Sequence, residues 1–317
     1  MRRYSLPFPL NRRGQHETRR ISEKQVVIAG LRAARLGWHG LDRRIAVHAA
    51  RRGWLGVFAH ELFWFGVKQA WACLFGALML ALLTATWMLW PANAPLGRYD
   101  FVTLMAVAIQ ITLLATGLET RREALVIVLF HVTGTLMELF KTATGSWVYP
   151  GHSILHIGGV PLFTGFMYAS VGSYIARAWR LFAFRFTRHP RWRNTAWLAA
   201  AIYLNFFADH YGYDFRWVLF VAVAWLFGPT WVHYRVRRRY RRMPLLLGFV
   251  LVATFIWFAE NLGTFTRAWY YPAQHRVWHM VPPEKIGSWL LLMIISYVLV
   301  SMLYRRTLPG AANGQSG

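Results

Sequence analysis

Residues 138–150 read ELFKTATGSWVYP, and residues 260–272 read ENLGTFTRAWYYP. Aligned without a gap, the two stretches are identical at six of thirteen positions. The identical positions are occupied by Glu138 and Glu260, Thr142 and Thr264, Thr144 and Thr266, Trp147 and Trp269, Tyr149 and Tyr271, and Pro150 and Pro272. Because five of these six positions hold polar or aromatic residues, shared hydrophobicity does not explain the match. We call the two stretches the motif copies, and such a repeat bears on the architecture of the whole chain.

The sequences on either side extend this repeat. A Tyr-Asp-Phe triplet precedes each motif copy, at residues 99–101 and 213–215. A Val-Pro pair follows each copy, at residues 160–161 and 281–282. The conserved order of triplet, motif and pair indicates that the hydrophobic part of the chain arose by duplication.

The composition is typical of a multi-pass membrane protein. Of the 317 residues, 56% are hydrophobic and 17% are aromatic, and the apolar residues form long, nearly uncharged blocks. The net charge is +24, but the basic residues lie between hydrophobic blocks, so we expect no nucleic-acid partner. The only cysteine, Cys73, excludes a disulfide within the chain.

The hydrophobic pattern predicts an all-α fold, a multi-pass transmembrane helix bundle of about eight spans. The spans lie at about residues 69–90, 101–118, 124–141, 160–179, 195–210, 217–234, 243–260 and 286–304. Spans one to four form one repeat and spans five to eight form the other. Because four is an even number, the repeats are parallel and both motif copies lie on one face of the membrane.

Four regions follow from this division. They are a basic cytoplasmic arm at 1–68, membrane repeat one at 69–190, membrane repeat two at 191–306 and a polar C-terminal tail at 307–317. The positive-inside rule places both termini in the cytoplasm, because only six of the 36 lysines and arginines then lie outside. The outer ones are Arg98, Lys141, Arg216, Arg267, Arg276 and Lys285.

The basic arm contains two segments with interfacial character. Residues 25–52 carry apolar residues at helical spacing among arginines, and residues 53–67 are aromatic but too short and charged to span. We expect both to lie on the bilayer and to contact anionic lipid headgroups. For residues 1–50 the alternative is a disordered basic tail that only orients the chain.

Acidic residues matched between the repeats are the candidate functional groups. Glu138 pairs with Glu260 and Asp100 pairs with Asp214, all on the outer side. Carboxylates near the hydrocarbon are costly unless paired or hydrated, which predicts a shared cleft near the outer leaflet. In the alternative interpretation, both glutamates end helices and reach water, with Trp-x-Tyr-Pro forming an aromatic belt.

Further residues complete the predicted site. Asp209 and His210 join Glu138 and Glu260 as candidate catalytic residues, because they end the fifth span on the same side. The candidate substrate-binding residues are Trp147, Tyr149, Trp269, Tyr271, Asp100, Asp214 and Asn205.

Two pairs of histidines near the motif copies have a spacing that metal ligands on a helix can have. His152 with His156, and His275 with His279, are four residues apart, as on one helix face. Gly151 and Pro272 make these segments loops, so we expect no metal site. We also expect no cofactor, because no phosphate loop or dinucleotide fingerprint is present.

Several long phrases resemble a known family. KQAWACLFGALML, RYDFVTLMAVAIQ, LFKTATGSWVYP, FIWFAENLGTF and GGVPLFTGFMYASVGSYIARAWRLF are similar to the bacterial membrane family called domain of unknown function 817. The resemblance covers about residues 60–306 and omits the basic arm. It implies a protein of the bacterial inner (plasma) membrane and supplies no activity.

A second resemblance covers about a quarter of the chain. Glu138, Thr144-Gly145, Tyr149 and Gly159-Val160-Pro161 are similar to a motif of membrane carotenoid hydratases. Trp269 and Tyr271 with Pro283-Glu284 resemble heterodimer-type lycopene cyclases, which usually have a second acid where this chain has Lys285. The resemblance implies acid chemistry on an isoprenoid. In such a reaction one of Glu138 and Glu260, in its protonated form, would act as the acid on a polyene and the other as the base, with aromatic faces stabilising the carbocation.

Three hypotheses on function remain open at this point. The first is an enzyme that performs acid/base chemistry on an apolar lipid or isoprenoid in an outer-leaflet cleft. The second is a transporter, in which matched acids between two repeats carry a proton or cation with a small molecule. The third is a membrane scaffold whose basic arm recruits a partner.

Overall fold

The computed structural model of the protein describes residues 53–91, 93–237 and 240–304. The chain divides into two compact units, Met1–Trp64 and Phe65–Gly317. The amphipathic helix predicted for residues 25–52 and the polar tail at 307–317 lie outside the described residues. The aromatic segment 53–67 is helical, and its placement on the bilayer stays a prediction.

Nine α-helices form within the described part of the chain. They are α1 (Gly53–Ala72), α2 (Leu74–Leu89), α3 (Arg98–Ala115), α4 (Arg121–Ala143), α5 (Phe163–Phe182), α6 (Trp192–Ala208), α7 (Arg216–Phe227), α8 (Leu245–Phe265) and α9 (Lys285–Leu303). Helices α2 to α9 occupy the eight predicted hydrophobic segments in order. The membrane-helix class is therefore confirmed for the described residues.

The number of membrane crossings is a separate question. By length and composition, α3, α4, α8 and α9 can each cross a membrane, and α1 with α2 can form a fifth, bent span. Helix α7 has only 12 residues, or about 18 Å, against a hydrocarbon core of about 30 Å. The total of eight spans and the two-repeat arrangement stay predictions.

The sixth predicted segment, 217–234, is only partly helical. Helix α7 ends at Phe227, two residues before Pro229, and proline cannot continue a helix because it lacks the amide hydrogen and restricts the residue before it. Two strands follow Pro229, β4 (Trp231–Arg235) and β5 (Tyr240–Pro244), and β3 (Arg185–Thr187) lies earlier in the chain. The three form an antiparallel sheet in the order β3-β4-β5. A shorter hairpin joins β1 (His156–Ile157) to β2 (Val160–Pro161), so the fold is not purely α-helical.

Glycines allow α4 and α5 to pack closely. A Cβ atom added to Gly134 would lie 2.7 Å from Tyr168, and one added to Gly172 would lie 2.7 Å from the Phe130 ring. Real Cβ contacts are not this short, so neither position accepts a side chain without movement. Small residues at helix contacts are a common feature of membrane bundles, since they let the backbones approach.

A buried ion pair joins α5 to the turn before α4. Arg177 Nη2 lies 2.6 Å from Glu119 Oε1, and both side chains are fully buried. Ser173 Oγ and Gln110 Nε2 also donate to the Glu119 carboxylate, at 2.9 Å and 2.6 Å. The carboxylate thus has three donors, which offset part of the cost of removing its charge from water.

Candidate functional site

The motif copies end α4 and α8 in the same way. Ser146 N donates to Lys141 O over 2.9 Å, and the equivalent Ala268 N donates to Gly263 O over 3.0 Å. The preceding residues, Gly145 and Arg267, have φ values of +71° and +53°. This left-handed helix ending turns the chain back over the last helical turn. Each copy therefore places its tyrosine near its own glutamate.

Backbone hydrogen bonds join the two copies directly. Val148 N donates to Tyr270 O, and Tyr270 N donates to Val148 O, each over 3.0 Å. Val148 and Tyr270 occupy equivalent positions of the repeat, ten residues after Glu138 and Glu260. Reciprocal contacts between equivalent positions are those that a two-fold axis produces.

Glu138 accepts hydrogen bonds from three aromatic side chains. Trp147 Nε1 donates to Oε2 over 2.7 Å, and Tyr149 OH donates to the same oxygen. Tyr168 OH, from α5, donates to Oε1 over 2.8 Å. The glutamate is 4% exposed, so these donors replace the water that it loses on folding.

Glu260 has a similar environment. Tyr271 OH donates to Oε1, and Trp289 Nε1, from α9, donates to Oε2 over 2.7 Å. This glutamate is also 4% exposed. Together with the residues that bond Glu138, these side chains form what we call the acidic cluster, namely Glu138, Trp147, Tyr149, Tyr168, Glu260, Tyr271 and Trp289.

The sequence contains a signal for the two helical donors that the motif comparison missed. Tyr168 lies eight residues after Val160, and Trp289 lies eight residues after Val281. Each follows its own Val-Pro pair at the same distance and donates to the glutamate of its own half. Extending the repeat beyond the Val-Pro pair would have identified both residues, although tyrosine matches tryptophan only as an aromatic donor.

Tyr271 links the two halves of the acidic cluster. Its ring lies 6.2 Å from the Trp147 ring, edge to face. The pKa of Tyr271 is raised well above its usual value, first by desolvation, second by its contact with Glu260 and least by the charge of Glu138. Because Trp147 donates to Glu138 and Tyr271 donates to Glu260, this ring contact places the two matched glutamates in one cluster.

A cavity of about 1110 Å³ extends from the acidic cluster between the helices. Both Leu245 and Glu260 line it, so it follows α8 for about 22 Å. Most of its wall is aliphatic and aromatic, and the charged residues lie near the motif copies. Apolar lining residues include Leu80, Met167, Val171, Phe249, Val252 and Leu292.

Charged residues surround the end of the cavity near the motif copies. Asp209 Oδ2 lies 3.9 Å from Lys141 Nζ, and Asp209 Oδ1 lies 3.8 Å from Arg216 Nη2. Lys285 Nζ lies 4.8 Å from the centre of the Tyr271 ring. All four residues line the cavity together with Asn205, whose Oδ1 accepts a bond from Phe215 N. We call this region the cavity mouth.

Other predicted site residues do not line the cavity. Asp100 is buried and accepts bonds from Ser153 Oγ and from the backbone of Ile154 and Leu155, so it anchors the loop after the first motif copy. Asp214 lies 3.3 Å from Arg216 in an exposed turn. His210 is exposed and packs edge to face against Phe140.

Trp269 lines the cavity but does not take the role of its counterpart Trp147. Its ring fills the space beside Gly263, where an added Cβ would lie 2.2 Å from it. The indole donor to Glu260 comes instead from Trp289. The two halves of the site therefore use equivalent acids with different tryptophans.

Comparison with known proteins matches most of the chain to one family. The family model described as "Protein of unknown function (DUF817)" matches residues 61–297. "Uncharacterized protein YoaT" of Bacillus subtilis (strain 168) is 46% identical over 239 residues, which are 75% of this chain and 90% of that protein. The family match begins at residue 61 and therefore omits most of the basic arm.

Two solved structures show a weaker likeness. Both are crystal structures of MvINS, a mycobacterial Insig homolog from Mycobacterium vanbaalenii, one of them a cross-linked trimer. Each has a TM-score of 0.44, with identities of 12% and 13%. They cover 59% and 63% of this chain and 96% and 98% of the solved chains. A likeness at this level assigns neither fold nor function.

Proposed function

This chain belongs to the DUF817 family of proteins of unknown function, and we propose that it binds an apolar lipid or isoprenoid in its cavity. The observation that carries the proposal is the cavity of about 1110 Å³, with apolar walls and the acidic cluster at one end. Ligand pockets are typically apolar and have a few convergent polar groups, which set the orientation of the ligand.

The distribution of polar groups predicts how the ligand lies. The apolar chain would run along α8 for about 22 Å, a large part of the hydrocarbon thickness of a bilayer. Its polar end would lie at the cavity mouth, beside Glu138 and Glu260. In the orientation expected from the arginines, that end lies at the outer leaflet.

The chemistry that we propose is acid/base proton transfer by the two glutamates. One carboxyl donates a proton to a carbon–carbon double bond, whose π electrons form the new C–H bond. The other carboxylate removes a proton from a neighbouring carbon, and that electron pair forms a shifted double bond. The lipid is isomerised, and no oxidant or reductant is needed. Tryptophan and tyrosine rings would stabilise the intermediate cation.

Tyr271 would complete the proton cycle. After one turnover the second glutamate holds the proton that the first has lost. Tyr271 donates to Glu260, and its ring packs against Trp147, which donates to Glu138, so Tyr271 lies between the two acids on the path that we propose for the returning proton. The resemblance to carotenoid hydratases and lycopene cyclases is compatible with this chemistry and stays a prediction.

The binding step can be tested by blocking the cavity. Val252 and Val250 lie on α8, but only Val252 lines the cavity, whereas Val250 is exposed. We expect Val252→Trp to lower the lipid that co-purifies with the full chain by about tenfold or more. Val250→Trp adds the same volume elsewhere and should leave it unchanged. Mass spectrometry of extracted lipid measures both, and equal lipid in the two variants would contradict the binding site.

The chemical step requires variants that preserve shape. Glu138→Gln and Glu260→Gln keep size and hydrogen bonding, because a glutamine oxygen still accepts from tryptophan and its amide can donate to a tyrosine oxygen. We expect either change to abolish the lipid change made by the wild type in a complemented deletion strain. Glu284→Gln is the matched control, since Glu284 is exposed and outside the cavity.

Lipid profiles and immunoblots of the four strains would decide the outcome. Normal lipid change with either site variant would exclude the acid/base role and leave the binding function standing. Loss of lipid change together with loss of protein would show that the glutamates serve the fold. That result would favour the transport and scaffold hypotheses over the enzyme hypothesis.

A further inference from the structure

Among the described residues, two lysines at the cavity mouth have no hydrogen-bonded anionic partner. The side chain of Lys141 is only 10% exposed, yet its nearest carboxylate, Asp209, is 3.9 Å away. That separation exceeds hydrogen-bond length, and the described structure places no closer acceptor at the ammonium. Its other neighbour is the Phe206 ring, with the centroid 4.6 Å away.

Lys285 is half-buried at the same cavity mouth. Its ammonium lies 4.8 Å from the Tyr271 ring centre, and no described carboxylate lies within ion-pair distance of it. Arg216, the third cation of the mouth, shares Asp209 with Lys141 and also lies 3.3 Å from Asp214. The two lysines therefore have fewer anionic neighbours than Arg216.

Among the described residues, the glutamates of the acidic cluster form no ion pair with either lysine. Glu138 accepts from Trp147, Tyr149 and Tyr168, and Glu260 accepts from Tyr271 and Trp289. Their oxygen atoms are thus occupied by indole and phenol donors and not by the lysine ammonium groups. The Lys141 ammonium is largely buried and has no hydrogen-bonded acceptor, which is costly, and an anion supplied from outside the chain would lower that cost.

We propose that the ligand is an anionic amphiphile, whose carboxylate or phosphate head binds Lys141 and Lys285 while its chain fills the cavity. The inference rests on the proposed lipid-binding function and adds the class of the ligand. Carboxylate and phosphate share the property that matters here, because their charged oxygen atoms accept strong hydrogen bonds from ammonium groups. Both lysines line the same cavity as the apolar residues, so one molecule can contact both parts.

Paired probes with the same chain separate the head from the tail. Cis-parinaric acid and its methyl ester are fluorescent polyenes with the same chain, and the added methyl group of the ester removes the negative charge of the head. We expect the acid to bind the full chain in non-ionic detergent at least about tenfold more tightly than the ester. Equal affinities would overturn the anionic head and leave the proposed lipid function standing. Binding of neither probe would overturn both.

Substitution of the lysines locates the head group. In Lys141→Met, Lys285→Met and the double variant, methionine keeps most of the apolar stem and removes the charge. We expect the ratio of acid to ester affinity to fall about tenfold in the double variant. Arg276→Met, at an exposed cation outside the cavity, is the control. An unchanged ratio in the double variant would overturn the assignment, and retained ester binding reports a folded cavity.

Competition distinguishes the two sources of negative charge. Dodecanoate, dodecyl phosphate and dodecanol would each be titrated against bound cis-parinaric acid. We expect at least one of the anions to displace the probe at a concentration about tenfold below that of dodecanol. The better anion identifies the head group as carboxylate or phosphate. Equal displacement by dodecanol would contradict the proposal.

Discussion

Arg177→Met is expected to lower the free energy of unfolding by about 3–5 kcal/mol, because it leaves a buried carboxylate without its cation. Arg177 and Glu119 are fully buried and 2.6 Å apart. Ser173 and Gln110 would still donate to Glu119, but neither carries a charge to balance it. Chemical denaturation of the full chain in detergent, followed by tryptophan fluorescence, measures the change.

The double variant Arg177→Met/Glu119→Gln is the internal control. Because it removes both charges, it should recover a substantial part of the stability lost in the single variant. Arg185→Met, at an exposed strand residue, should cost less than about 1 kcal/mol. If Arg177→Met and Arg185→Met were equally stable, the buried ion pair would have no special role in the fold.

Gly134→Val is expected to lower the free energy of unfolding by about 1–3 kcal/mol and to disturb the acidic cluster. The first added carbon alone would lie 2.7 Å from Tyr168, so α4 and α5 must separate or Tyr168 must move. Since Tyr168 OH donates to Glu138, either response weakens that bond. The temperature of thermal unfolding and the amount of co-purified lipid should therefore both be lower than in the wild type.

Gly66→Val provides the comparison for this change. Gly66 lies in α1, and an added Cβ there would meet no atom within 4 Å. The same substitution should therefore leave the free energy of unfolding within about 0.5 kcal/mol of the wild type. Similar losses at both positions would show that valine is tolerated poorly in these helices generally, and the close packing of α4 on α5 would not be the cause.

Much of the fold could be predicted from patterns along the chain. Hydrophobic segments placed α2 to α9 in order, because membrane-length apolar runs form helices whatever their neighbours. The pattern failed at 231–235, where continuing hydrophobicity after Pro229 was interpreted as helix although the segment forms strand β4. Apolar character alone does not distinguish a short buried helix from a strand. The neighbouring strand β3 lies more than 40 residues before β4, so the pairing could not be predicted from local sequence.

The candidate site was predictable in part. The repeat identified Glu138, Glu260, Trp147, Tyr149 and Tyr271, which the structure places in one cluster. It also suggested equal roles for equivalent residues. The structure instead gives Asp100 three donors from the following loop and leaves its counterpart Asp214 in an exposed turn. Side-chain partners depend on packing, and the two halves are packed differently at these positions.

Composition, local period and direct repetition were enough to give the membrane class, most helix positions, the family and the pair of glutamates. Helix packing sets which side chains surround those glutamates, since Tyr168 and Trp289 reach them from separate helices. It also sets the apolar walls of the cavity and the position of Lys141 and Lys285 at its mouth. Sequence patterns do not give these features, because hydrogen bonds and cavities depend on ångström separations between residues far apart in the chain, and helix packing determines those separations.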